Sequence, residues 1–180
     1  RARGIGGFLN ISTRQSEWGD VIATAERETD VWASVGIHPH EADKHTDLSA
    51  DQLQAATDHE RVIAIGETGL DYYYDHSDRD VQRRLFRMHI DVARQTGLPV
   101  IIHTRDAEED TLGILKDEMG KGAFPALIHC FTASAEFGEK VLALGLSISI
   151  SGIVTFKNAR DLQEVAKSVP KDRLLVETDS

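Results

Sequence analysis

The sequence Val62-Ile63-Ala64-Ile65-Gly66-Glu67 is a short, nearly continuous apolar run that ends in a carboxylate. Strands buried on both faces of a sheet have this composition, because each of their faces packs against another element. Six further runs have the same character: Ile5–Ile11, Val31–Ile37, Pro99–Ile102, Pro125–Ile128, Leu146–Ile150 and Leu174–Glu177. Together with Val62–Gly66 they predict a sheet of seven buried strands.

The stretches between these runs have the periodicity of amphipathic helices. Ser49 and Gln52 fit a capping box at the start of one helix, and Gly97 is expected to end another. The apolar residues of that second helix recur at helical spacing: Val81, Leu85, Met88 and Val92. Helices that alternate with buried strands indicate a parallel sheet, either doubly wound or a (β/α)8 barrel that lacks one strand.

Composition limits the classes of protein to consider. The 180 residues, 41% hydrophobic and 28% charged, suit one globular domain, and no apolar run approaches the ~20 residues that cross a bilayer. The net charge of −10 argues against DNA binding by a broad cationic surface, so any nucleic-acid contact should be local. The single cysteine, Cys130, excludes an internal disulfide and is compatible with a predicted cytoplasmic location.

Five side chains that bind metals follow predicted strands at their carboxyl ends. They are His38, Glu67, His103, His129 and Asp179. In a parallel barrel these strand ends meet at one rim, which is where the active sites of that fold lie. Three imidazoles and two carboxylates at one rim are suitable ligands for a divalent metal ion. The placement therefore predicts a metal or catalytic site.

Each of these residues also has a less specific interpretation. A single histidine at a strand end is more often a surface or hydrogen-bonded residue, and Glu67 or Asp179 alone could cap a helix. The metal hypothesis depends on the repeated placement of all five. Four of the other histidines are interpreted as structural or solvent-facing (His45, His59, His76 and His89). Cys130 should point away from its neighbour His129, so we expect it to pack in the core.

The motifs around these residues resemble the TatD family of metal-dependent deoxyribonucleases. The resemblance runs in register over nearly the whole chain and includes Gly36-Ile37-His38-Pro39-His40, Gly66-Glu67-Thr68-Gly69-Leu70-Asp71-Tyr72, Ile102-His103-Thr104-Arg105-Asp106-Ala107, His129-Cys130-Phe131-Thr132, Ser151-Gly152-Ile153-Val154-Thr155-Phe156-Lys157-Asn158-Ala159 and Glu177-Thr178-Asp179-Ser180. Several ordered motifs make this resemblance far more specific than any single one.

The resemblance implies a (β/α)8 TIM barrel of the amidohydrolase superfamily that hydrolyses DNA phosphodiesters, often from a strand end, with two divalent ions (Mg, Mn or Zn). It implies that Glu67 bridges the ions and that His103 and His129 complete the ligands of one. Asp179 would bind the other ion and act as general base. His38 would lie near the scissile phosphate or near a metal-bound water, and Arg105 and Lys157 could contact phosphate.

The chain departs from the family pattern at its start, since no H-x-H pair precedes Ile5. We therefore expect one barrel domain over residues 1–180 that contains strands two to eight, without strand one and the last helix. The ion that depends on H-x-H and Asp179 should be weakly held. The unpaired edges should cause self-association, unless a first strand lies upstream of Arg1.

Two other functions stay open. The same barrel could act on an amide, lactone or ester, because a fold alone does not define the substrate. The chain could also be an inactive binding module. The DNA-versus-RNA preference, the native metal and the oligomeric state are not predicted by the sequence.

Overall fold

The computed structural model describes residues 4–178, in which strands alternate with helices. The strands are β1 (Phe8–Asn10), β2 (Val31–Val35), β3 (Val62–Asp71), β4 (Val100–Arg105), β5 (Ala126–Ile128), β6 (Ser147–Ile150) and β7 (Leu174–Val176). The helices are α1 (Trp18–Arg27), α2 (Ala50–Thr57), α3 (Arg79–Thr96), α4 (Glu108–Lys121), α5 (Ala135–Ala143) and α6 (Arg160–Ser168). Short 3-10 helices occupy Gln15–Glu17, Pro39–His45, Gly152–Thr155 and Lys171–Arg173.

The seven strands form one parallel sheet in which each strand pairs with its neighbours in the sequence, from β1 to β7. A doubly wound sheet would reverse its strand order at a switch point, so this sequential order excludes that alternative. Within residues 4–178 no pairing joins β7 to β1. The sheet is therefore the curled, open part of a (β/α)8 barrel, as predicted.

Strand β3 is longer than predicted and carries Glu67 within it. After a register shift beyond Ile65, its pairing with β4 continues from Thr68, opposite Ile102, to Asp71, opposite Arg105. His103 likewise lies inside β4. The expectation that Glu67 and His103 follow their strands is wrong, because the ladder extends past both residues.

Close approach between strands explains the glycines of this region. A Cβ atom on Gly36 would lie 2.4 Å from the Cα atom of Gly66, and one on Gly69 would lie 2.0 Å from the carbonyl oxygen of His103. Gly66 and Gly69 also have positive φ angles of 140° and 137°, which L side chains rarely adopt. These positions require glycine for β2, β3 and β4 to come together.

The helices begin and end largely as their sequences predict. Ser49 and Gln52 form the capping box of α2, and Gly97 ends α3 in the left-handed conformation. The core between helices and sheet is apolar; its fully buried side chains include Leu85, Phe86, Ile90, Ile102, Leu115 and Ile148. Apolar residues on the edge strands are exposed: Phe8, Leu9, Leu175 and Val176. Among residues 4–178, no helix has the length and apolar character that spanning a membrane requires.

Replacing Gly36 by alanine should destabilise the fold, because the new methyl group meets the Gly66 backbone, which cannot rotate away. We expect the free energy of unfolding to fall by about 1–3 kcal/mol in urea denaturation, the usual cost of overpacking. Gly113→Ala is the matched control, since Gly113 lies in α4 and a methyl group there would have no heavy atom within 4 Å. That change should raise the free energy of unfolding by about 1 kcal/mol, because alanine has a higher helix propensity than glycine. Equal stability of Gly36→Ala and the unmodified protein would contradict the packing argument.

Candidate metal centre

The carboxyl ends of β2 to β5 surround a cavity of about 560 Å³. Its polar lining includes four histidines and two glutamates, which are His38, His40, His103, His129, Glu41 and Glu67. Thr13, Thr104, Arg105, Cys130, Thr132 and Ile153 complete the wall. The cavity therefore lies at the rim where the sequence predicts a site.

Glu67 lies at the centre of the histidines. Its Oε1 atom is 3.1 Å from Nδ1 of His103, 3.6 Å from Nε2 of His38 and 3.9 Å from Nε2 of His129. Glu67 is buried, with 8% of its surface exposed. The donor atoms of His38, Glu67 and His103 lie within 4.8 Å of one another, so this triad could hold a metal ion.

The segment after β1 forms hydrogen bonds with the backbone of Glu67 and of His38 and holds both residues in position. The Glu67 N–H donates to the Ser12 carbonyl oxygen at 3.0 Å, and the His38 N–H donates to that of Thr13 at 2.8 Å. The Ser12 hydroxyl oxygen accepts a hydrogen bond from the Gly36 N–H at 3.2 Å. Two adjacent residues thus connect β1 to both β2 and β3 at the rim.

His89 supports the same backbone from helix α3. Its Nδ1 donates to the Leu85 carbonyl oxygen at 2.7 Å, and its Nε2 accepts from the Ile37 N–H at 3.1 Å. The His89 side chain is completely buried, and burial lowers its pKa to about 4, so the ring stays neutral and can accept. The interpretation of His89 as structural is confirmed, and its partner is the residue before His38.

Two further carboxylates, those of Asp71 and Glu177, fix the orientation of the His103 and His129 rings. Oδ2 of Asp71 lies 2.9 Å from Nε2 of His103, and Oε2 of Glu177 lies 2.5 Å from Nδ1 of His129. Asp71 is also 2.9 Å from Nε2 of His40, although that contact lacks the alignment of a hydrogen bond. Carboxylates that hold the second ring nitrogen are a common support for metal-binding histidines.

The pKa values follow from burial and from these pairs. Burial favours the neutral form of Glu67, but the His103 hydrogen bond and the charges of His38 and His129 lower its pKa overall. Burial also opposes a charge on His103, yet hydrogen bonds to Asp71 and Glu67 raise its pKa to about 9. Burial lowers the pKa of His38 to about 4. Glu67 is therefore anionic and His38 neutral near pH 7.

The structure brings together four of the residues that the sequence singles out: His38, Glu67, His103 and His129. Arg105 lines the same cavity, whereas Lys157 is exposed and does not line it. Asp179 lies outside the described residues, and its role stays a prediction.

Sequence reasoning misses His40, Asp71 and Glu177, although all three stand inside the motifs that carry the family resemblance. It also misplaces Cys130, which lines the cavity, with its thiol donating to the Ser151 hydroxyl at 3.3 Å. Cys130 has a φ of 44°, so the chain leaves the strand there and the side-chain alternation that predicts core packing no longer applies.

A curled parallel sheet with histidines and a buried glutamate at its carboxyl rim is a barrel with a candidate metal centre. The chain belongs to the TatD related DNase family, whose model matches residues 1–180.

Individual relatives agree with this assignment. The uncharacterized metal-dependent hydrolase YabD of Bacillus subtilis is 45% identical over 149 residues, which cover 83% of this chain and 58% of the relative. A 3'-5' ssDNA/RNA exonuclease TatD of Erwinia tasmaniensis is 35% identical over 182 residues, 100% of this chain and 70% of that protein. The chain thus spans little more than half the length of the first of these relatives.

Solved structures show the same fold. The TatD homologue YJJV from Escherichia coli K12 matches with a TM-score of 0.88 and 31% identity, over 98% of this chain and 68% of that one. An organophosphorus hydrolase from Deinococcus radiodurans matches with a TM-score of 0.66 and 18% identity, over 99% of this chain and 62% of that one. The second likeness concerns the fold alone.

Asp71→Asn should lower the pKa of His103 in the metal-free protein, because the charge that stabilises the imidazolium is removed. Starting from about 9, we expect a fall of roughly one unit or more, measured by NMR titration of the ring protons. His89 is the internal control, since burial keeps its pKa low and Asp71 has no part in that shift. An unchanged His103 titration would show that Asp71 does not stabilise the imidazolium.

Proposed function

We propose that the protein is a metal-dependent hydrolase that cleaves phosphodiester bonds of DNA, acting from a strand end, with residues 1–180 forming one barrel domain of it. The observation that carries this proposal is the buried, ionised Glu67 among three histidine rings in an open cavity. Family membership supports hydrolysis, and the exonuclease name of the Erwinia tasmaniensis relative supports a nucleic-acid substrate.

The donor set fits a divalent cation. An anionic carboxylate and neutral imidazoles suit Zn²⁺ and Mn²⁺, and Mg²⁺ would favour the carboxylate. The ligand set of Glu67, His103 and His129, which the family resemblance implies, is supported by the carboxylates that contact the two rings, Asp71 and Glu177. Asp71 contacts Nε2 of His103 and leaves Nδ1 facing Glu67, whereas Glu177 contacts Nδ1 of His129 and leaves Nε2 facing Glu67. This is the arrangement of a carboxylate–histidine–metal triad.

His38 differs from these two histidines in the group that its second nitrogen contacts. Its Nδ1 accepts a hydrogen bond from the His40 N–H at 3.1 Å, so in the neutral ring the proton is on Nε2. That Nε2–H faces the cavity and can donate to an anionic oxygen, but it offers no lone pair to a metal. We therefore assign His38 to the substrate, which is one of the two positions that the family resemblance implies, although its donor atom lies within the possible metal-binding triad.

In the proposed hydrolysis, the side chains of the cavity bind the metal ion and orient the phosphate group of the substrate. A divalent ion in such a hydrolase supplies polarisation of the phosphoryl oxygen and a more acidic water. Glu67 contributes the negative charge that retains the cation, and His38 Nε2–H stabilises charge that develops on a phosphate oxygen. Asp179 stays the proposed general base and second-ion ligand, and Lys157 a proposed phosphate contact.

A local cation also explains how a protein with a net charge of −10 can bind a polyanion. The phosphate then binds where cationic charge is concentrated instead of on a broad basic surface. Hydrolysis of lactones or amides by the same barrel stays the alternative, and assaying a lactone and ester panel beside oligonucleotides separates the two. Preferential turnover of the panel would overturn the nuclease proposal.

Glu67→Gln should abolish most activity, because it removes the anionic ligand while it preserves the side-chain shape. We expect kcat for a single-stranded oligonucleotide to fall at least about 100-fold with Mn²⁺, and the metal affinity to fall in calorimetry. EDTA should stop the unmodified protein. Glu139→Gln is the matched control, since Glu139 is exposed on α5, away from the cavity. Unchanged metal affinity in Glu67→Gln would refute the assignment.

His38→Ala and His129→Ala should have different effects if the two rings have the proposed roles. His38→Ala should lower kcat by roughly 10²-fold or more while the metal affinity stays within about twofold, because only a donor to the substrate is lost. His129→Ala should weaken metal binding at least about tenfold. Calorimetric metal titration and steady-state kinetics on both variants measure this difference. Equal loss of metal affinity in both would make His38 a ligand.

A further inference from the structure

Exposed aromatic residues lie at the mouth of the cavity, immediately after β3. Tyr73 and Tyr74 are 57% and 48% exposed, and their rings meet edge to face at a centroid distance of 4.7 Å. His76 is stacked on Tyr74 at 5.3 Å with an interplanar angle of 5°. We call Tyr73, Tyr74, His76 and Arg105 the aromatic platform.

The Arg105 guanidinium lies over both tyrosine rings. Its Cζ atom is 4.0 Å from the ring centroid of Tyr73 and 4.7 Å from that of Tyr74. Such contacts orient a long cationic side chain and hold it against the rings. Arg105 also lines the cavity, so the platform adjoins the candidate metal centre directly. The Tyr74 ring is 5.4 Å from that of His40 on the same wall.

The platform is anchored by the carboxylate that orients His103. Oδ1 of Asp71 accepts hydrogen bonds from the backbone N–H groups of Tyr73 at 3.1 Å and Tyr74 at 3.0 Å. The Tyr72 N–H donates to the Arg105 carbonyl oxygen at 2.9 Å, which joins the two sides of the platform. The tyrosine backbone is therefore preorganised relative to His103.

From this geometry we infer that the aromatic platform binds an unpaired nucleobase of the substrate strand, with Tyr73 as the main stacking surface. The inference rests on the proposed function, since it concerns the strand whose phosphate enters the cavity. Stacking depends on a flat π surface instead of net positive charge, so it suits a protein of charge −10. More than half of Tyr73 is open to solvent, which leaves space for a flat ligand.

A paired base is stacked inside its duplex and cannot lie on an exposed ring without being unpaired. The platform therefore favours single-stranded nucleic acid or a frayed strand end over intact duplex. Arg105 has two roles toward the same strand: its guanidinium plane packs against the tyrosine rings, and its N–H groups can donate to a phosphate. This assignment extends the predicted phosphate contact of Arg105 to a base-recognition site.

The test compares Tyr73→Leu with Tyr73→Phe in the full protein with Mn²⁺. The two probes are a fluorescent thymidine pentanucleotide and the same backbone with abasic sugars, both with phosphorothioate linkages to slow turnover. Fluorescence anisotropy should give a Kd about tenfold higher for the thymidine strand in Tyr73→Leu, and a change below about twofold for the abasic strand. Tyr73→Phe keeps the ring and should bind as the unmodified protein does.

Equal weakening on both strands, or no weakening on either, would overturn the base-stacking site. So would equal or unmeasurable affinity of the unmodified protein for the two strands. Cleavage of ordinary phosphodiester versions of the same strands is followed separately and tests the proposed hydrolysis alone. A failure of the nuclease proposal is therefore visible apart from a failure of the platform.

Discussion

The buried charge of Glu67 is the constraint on which the rest of the rim depends. A carboxylate with 8% of its surface exposed loses most of its hydration, and that costs several kcal/mol unless nearby groups compensate. The compensation comes from histidine rings on three other strand ends, which must approach within about 4 Å. A protonated His103 provides it in the metal-free protein, and a divalent cation can replace that proton. The geometry that makes the site costly to fold also suits a divalent cation.

That approach is possible only because the backbone is unusual at the same positions. Gly36 and Gly69 lie where any Cβ atom would collide with a neighbouring strand, so β2, β3 and β4 come closer than side chains would permit. Asp71 then links two parts of the site: one oxygen contacts His103, and the other accepts the backbone N–H groups of Tyr73 and Tyr74. The candidate metal centre and the surface next to it therefore both contact one side chain, Asp71.

The sequence predicts the seven strands and the converging residues because apolar runs and chelating side chains are local signals, whereas the barrel order of the strands is predicted only by the family resemblance. It does not predict where strand pairing ends: β3 continues through Gly66 and Gly69, and only the neighbouring strand reveals that the ladder persists. Cys130 is misplaced for a similar reason, since a left-handed residue interrupts the alternation after β5. The roles of Asp71 and Glu177 are not predicted from the sequence, because these carboxylates contact His103 and His129 only in the folded protein.

The distribution of charge around the rim indicates how the strand would be recognised. A net charge of −10 repels a polyanion at long range, and screening limits that repulsion to about 10 Å at moderate salt. Close to the cavity, Arg105 and a bound cation would reverse the sign of the local field. Affinity that arises from one or two phosphates and a stacked base should depend on salt far less steeply than binding along a basic groove. The proposed site would discriminate by access to an unpaired end more than by the charge of the whole polymer.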